Sequence, residues 1–146
     1  MSDTGTAAWA ALLRVHAALV PVLDRELQAS VNLPLTWYDV LLELNAAPDR
    51  RLSMGELGRA AVVSRSRVSR VVDELAAGGL VTREANPDDR RSAYAIITEA
   101  GRARLRAAAP TYLNGIKRHF TAQMTAAESA TVAAALEKVL RGLNVN

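Results

Sequence analysis

From Ser64 to Arg70 the chain reads Ser-Arg-Ser-Arg-Val-Ser-Arg: six of seven side chains can donate hydrogen bonds, and no acid appears before Asp73. At the start of a helix, these residue types suit recognition of a polyanion with readable edges. A guanidinium can pair bidentately with guanine, while serine hydroxyls reach phosphate or base edges. The positive end of the helix dipole also favours phosphate. Arg65 and Arg67 are the candidate base readers, Ser64, Ser66 and Ser69 the short donors, and Arg70 a backbone contact. The plainer reading is a solvated helix face. Such faces usually mix Glu with Lys or Arg at i,i+4, and three Arg without an acid depart from that mixture.

A second group lies at Pro87-Asp88-Asp89-Arg90-Arg91. Pro-Asp-Asp predicts a turn, from which Arg90 and Arg91 project. An Arg at a hairpin tip suits the narrow, electronegative minor groove. Asp89 reads as a brace, bonding the Arg or the loop amides. An ordinary exposed Asp–Arg turn is the alternative, and alone it would carry little weight.

Both groups need a scaffold, and the flanking sequence predicts one. Ser53-Met54-Gly55-Glu56 is a capping box opening a short helix over 53–61, with Val62-Val63 as the turn. Ser64 caps the next helix, over 64–77, whose core side is Val68, Val71, Val72 and Leu75. Gly78-Gly79 stops it. Leu80 to Arg83 and the alternating run Ala93 to Thr98 form a hairpin, to which residues 49–52 could add an edge strand. Helix, turn, helix and hairpin make a winged helix-turn-helix. The fold class is therefore mainly α with a small β-hairpin wing.

Around this unit the periodicity predicts further helices. A first helix over 6–30 buries a stripe through Trp9, Leu12, Leu13, His16, Leu19, Val20, Leu23 and Leu27, with Pro21 expected to kink or divide it. A second helix opens at Leu35-Thr36, with Thr36 and Asp39 as its capping pair, and buries Trp37, Val40, Leu41 and Leu44. After Thr98, a long helix bent at Pro110 and a final helix opened by Thr125-Ala126-Ala127-Glu128 complete the chain. That last helix should bury Val132, Leu136, Val139, Leu140 and Leu143.

Composition bounds the rest. A chain of 146 residues fits one domain, or one domain plus an oligomerisation element. Six aromatics and an abundance of Ala suggest a core completed by a second copy, although periodicity alone also permits a monomer. The net charge of +3 is too small to argue from, because position matters more than total. The absence of Cys removes disulfides, thiolate nucleophiles and thiol-based sensing. No His, Asp or Glu cluster has zinc-ligand spacing, and no nucleophile has a base beside it, so neither a metal, a cofactor nor an enzyme is expected. The N-terminus lacks a basic signal-peptide start. No apolar run is expected to reach the ~20 residues that span a bilayer, so the reading is a cytoplasmic protein without membrane contact.

Taken together, Leu35-Thr36, Ser53 to Leu57, Ser64 to Leu75, Gly79-Leu80-Val81, and Pro87 to Arg91 through Thr98 and Gly101 resemble the MarR family of bacterial transcriptional regulators. The resemblance covers essentially the whole chain, and its most specific part is the Asp-x-Arg wing of Asp89 and Arg91. It implies a homodimer joined through terminal helices, binding a pseudo-palindromic duplex operator, most often as a repressor. It makes Arg91 the wing-tip Arg and Ser64 to Arg70 the recognition surface. It also implies release by a small aromatic or anionic effector. On this basis residues 1–34 form an N-terminal dimerisation helix, 35–98 the winged DNA-binding unit, and 99–146 the C-terminal dimerisation helices. The missing Cys excludes the family's thiol-oxidation branch.

A candidate effector pocket is lined by Trp9, His16, Trp37 and Tyr38, aromatic walls with one titratable donor. A plainer reading makes all four core residues. His119, beside Lys117 and Arg118, reads as exposed or interfacial. The competing function is a winged helix used for protein contacts without DNA, since fold does not dictate function.

Overall fold

The computed structural model describes residues 3–62, 65–89 and 92–143, apart from the side chain of Arg65. Helix α1 (Thr4–Val31) starts at Asp3, whose carboxylate accepts from the Gly5 amide, and ends at Asn32 in the left-handed conformation. It runs unbroken through Pro21, so that residue does not divide it. The loss there is limited to the single helical bond that a proline cannot donate. Only Leu23 and Leu27 of α1 are buried.

Helix α2 (Leu35–Ala46) lacks the predicted Thr36–Asp39 cap. Its first amide, on Leu35, instead donates to Asp24 of α1 at 2.9 Å, because the chain doubles back after Asn32 and brings that carboxylate over the new helix start. Asp39 turns inward. Helix α2 then serves as the hub, packing against α1, later helices and the sheet. Leu27, Leu33, Val40, Leu41 and Leu44 are fully buried around it.

Strand β1 (Arg51–Ser53) leads into α3 (Met54–Ala60), where the Ser53–Glu56 capping box forms with both bonds in place. A 3-10 turn (Arg65–Arg67) precedes α4 (Val68–Ala77). Strands β2 (Val81–Ala85) and β3 (Ala93–Ile97) pair antiparallel, and β1 pairs with the far side of β3, giving the order β1-β3-β2. Val81, Ala95 and Ile97 turn into the core with Leu57, Val72 and Leu75.

Helix α5 (Glu99–His119) is fastened to the base of the wing. The Thr98 hydroxyl donates to the Gly79 carbonyl at 2.7 Å and accepts from the Gly101 amide at 3.0 Å. Gly101 lies so close to the wing that an added Cβ would collide with the Leu80 carbonyl oxygen. Helix α5 continues through Pro110, and Arg104 on it donates to the carbonyls of Val31 and Asn32, closing the end of α1.

Helix α6 (Ala126–Gly142), opened by the Thr125–Glu128 capping box, buries no residue within the chain. Val132, Val139, Leu140 and Leu143, which periodicity places inside, are exposed, as are Trp9, Leu12 and Leu13 of the α1 stripe. Periodicity identifies an apolar face and leaves open what covers it. Helix α1 also corrects the expectation of no membrane-length run. An 18-residue window in it has a mean hydropathy of 1.5, and only 6% of that window is buried. By length and composition alone it could cross a bilayer; Leu, Val and Ala around a lone Arg14 produce that average.

Candidate nucleic-acid interface

The surface begins with the amphipathic split of α4. Val68, Val71, Val72 and Leu75 face the core, so the intervening positions must face outward. Ser66, Arg67, Ser69 and Arg70 are all exposed, and the Arg70 side chain is 79% accessible. The predicted single helix from Ser64 resolves differently. Residues 65–67 form the 3-10 turn, and Arg67 (φ -112, ψ 5) joins it to α4 without a side-chain cap. Ser64, the predicted cap and donor, lies outside the described residues, as do Arg90 and Arg91; of Arg65 only the backbone is described.

Four contacts that sequence reasoning missed tie α4 and the turn before it to other elements. Asp39, 8% exposed, accepts from the Val62 amide at 3.1 Å and so grips the turn leading into the helix. Trp37 donates through Nε1 to Glu74 at 2.9 Å, and the other Glu74 oxygen lies 3.6 Å from Arg70 Nε. That last pair is an i,i+4 contact of the ordinary surface kind, joining Arg70 to the helix's own acid. Arg83 on β2 pairs with Asp73 at 2.8 Å and donates to the Ser69 carbonyl at 3.2 Å. None of these contacts follows a local spacing rule except the Arg70–Glu74 pair.

At the wing tip Asn86 is the organiser. Its side-chain oxygen accepts from the Asp88 amide at 3.0 Å, and its carbonyl accepts from the Asp89 amide at 3.2 Å. Asn-Pro-Asp is a recognisable Asx-turn sequence, so this signal was available. The Asp89 carbonyl accepts from the Ser92 amide, closing the loop.

The four predicted pocket residues are not gathered within one chain. Tyr38 is buried, its ring 4.6 Å from that of Tyr112, and burial pushes both hydroxyls above the usual phenol range. Trp37 is half-buried and engaged with Glu74. Trp9 is 59% exposed, and His16 is also exposed. Trp9 precedes Leu23, where α1 enters the core, by fourteen residues, about 21 Å of helix. An open groove of about 760 Å³ lies elsewhere, between α1 and α5, bordered by Glu26, Ser30, Thr111, Asn114, Lys117 and Arg118. His119 bonds to Glu26 there, 2.5 Å away. Among the described residues no group of three or more His, Asp or Glu could hold a metal ion.

A capped helix, a held turn, a second helix entered through an Arg-bearing 3-10 turn, and a three-stranded wing define a winged helix-turn-helix protein. Residues 31–92 match the MarR family profile. The HTH-type transcriptional repressor YetL of Bacillus subtilis (strain 168) is 32% identical over 79 residues, covering 54% of this chain; the match spans 47%, about half, of that relative's length. Sco3205, a MarR family transcriptional regulator from Streptomyces coelicolor solved in complex with DNA, superposes with a TM-score of 0.84. It is 31% identical, with 98% of this chain and 93% of that chain covered. AbsC, another MarR family regulator from Streptomyces coelicolor, gives 0.82 at 29% identity, covering 99% and 97%. The chain belongs to the MarR family of DNA-binding transcriptional regulators.

Proposed function

We propose that this chain is a sequence-specific repressor that binds a pseudo-palindromic duplex operator as a homodimer. The observation that carries this reading is the outward display of Ser66 and Arg67 from the 3-10 turn, and of Ser69 and Arg70 from α4, a helix whose opposite face is locked into the core. Such a helix can enter a major groove about 12 Å wide, with Arg67 placed to read guanine edges. Arg90 and Arg91 would occupy the adjacent minor groove, and Asp89 would brace them.

The exposed apolar faces of α1 and α6 support pairing. Trp9, Leu13, Val139, Leu140 and Leu143 stay open to water within one chain, and patches of this kind mark association sites. In this reading residues 1–34 and 99–146 form the dimer body and residues 35–98 bind DNA. A second copy, not a bilayer, covers α1, which suits a cytoplasmic protein. The buried Tyr38–Tyr112 pair beside half-buried Trp37 supports a small aromatic or anionic effector acting between α2 and α5, with Trp9 and His16 contributed across the pair.

Gel shifts with duplex from upstream of the chain's own coding region, combined with sedimentation of the free protein, test the reading. The expected results are a two-chain species in detergent-free buffer and an affinity that falls steeply with salt as counterions are released. A monomer, or salt-insensitive binding, would contradict it. A protein-contact module instead predicts no duplex binding and a partner docking on α4.

A further inference from the structure

We propose that Arg83 is a positioning residue that fixes the wing against the reading helix, acting through Asp73 and Ser69 and not through DNA. The inference rests on the duplex-binding reading above. Arg83 lies two residues after buried Val81 on β2. The period of a strand puts both side chains on one face, so Arg83 turns toward α4. There Nη2 lies 2.8 Å from Asp73 Oδ1 and 3.2 Å from the Ser69 carbonyl oxygen. Its side chain is 37% accessible and that of Asp73 65%.

The placement has leverage. Ser69 sits between Arg67 and Arg70 on the exposed side of the helix, and Asp73 follows one turn later. The guanidinium thus ties one turn of the reading surface to the strand that carries the wing tip. Two strand residues, Glu84 and Ala85, carry the chain from Arg83 to the turn at Asn86, about 10 Å of extended chain. A tilt of ~10° at Arg83 would carry that turn about 2 Å on such a lever arm, enough to lose a hydrogen bond to phosphate.

Charge makes the idea testable by sign. Asp73 is the first acid after the cationic run. If it were only a bystander, removing its charge near a polyanion would tighten DNA binding. If it anchors Arg83, the same substitution weakens binding. The pair is exposed and adds little to global stability, so the variants should remain folded.

The experiment measures duplex affinity against salt concentration for the wild type, Arg83→Ala, Arg83→Lys, Asp73→Asn and the Arg83→Ala/Asp73→Asn double variant. Urea unfolding of each provides the control. We expect Asp73→Asn and Arg83→Ala each to weaken binding about fivefold or more, as coupled residues do. The double variant should be no weaker than about the worse single variant, and Arg83→Lys should recover part of the loss. Both single variants should lower the salt slope below that of the wild type, because the wing cations would no longer reach phosphate. Tighter binding by Asp73→Asn, or losses that multiply in the double variant, overturns the proposal and makes Arg83 a direct phosphate contact. If the wild type shows no salt-sensitive duplex binding, the functional reading falls too.

Discussion

Asp39 of α2 accepts a hydrogen bond from the Val62 amide at 3.1 Å, although the two residues are 23 positions apart. That bond joins the hub helix to the turn that leads toward α4. Asp39→Ala should therefore destabilise the chain by about 2 kcal/mol, the scale for losing a buried, charge-assisted bond. Duplex affinity of the folded protein should fall as well. Asp39→Asn keeps an acceptor and should lose less on both measures. Urea denaturation and duplex titration of the two variants check this, and equal losses would contradict it.

The Gly101–Leu80 approach yields a second expectation. A Cβ that overlaps the Leu80 carbonyl oxygen must move backbone, not a flexible side chain. Gly101→Ala should cost about 2–3 kcal/mol, the range for overpacking a tight contact. A Cβ added at Gly58 would meet open space, so Gly58→Ala should cost nothing comparable and serves as the control in the same unfolding assay.

Acid should loosen the α1–α5 clasp. The bond with His119, and then the charge of Arg118, hold the Glu26 carboxyl below its ordinary 4.5, against the opposing effect of burial. A carboxylate with a depressed folded-state pKa stabilises above its unfolded value, and that stabilisation disappears as pH falls through the folded value. The unfolding midpoint of the wild type should therefore fall more between about pH 5 and about pH 3 than that of Glu26→Gln. Parallel pH profiles would show that the clasp contributes nothing.

Local patterns are legible in the sequence, and distant ones are not. The Ser53–Glu56 box lies within one helical turn, and the wing declares itself by two-residue alternation around Asn86-Pro87-Asp88, so both can be read directly. At the start of α2, Thr36 and Asp39 have the spacing of a cap, while the true acceptor, Asp24, arrives only after the chain reverses. Arg83 and Asp73 meet across a strand–helix contact that no periodicity announces. The stripes on α1 and α6 are apolar as expected, yet the interior of a single chain covers only the Leu19–Leu27 part of α1 and leaves Trp9, Leu12, Leu13 and the face of α6 exposed. Hydrophobic spacing specifies a face to be covered, and a second copy satisfies it as well as a core does.

Selection of binding sites from a randomised duplex pool, by the wild type and by Arg67→Ala, shows whether the exposed side of α4 and its entry turn reads base sequence. The wild type should enrich an inverted repeat whose half-sites are centred about 10 bp, or a multiple of that, apart. Arg67→Ala should lose about 1–3 kcal/mol of affinity for it and relax the preference at one position in each half-site. An Arg67→Ala protein that keeps both the affinity and the preference would contradict the account.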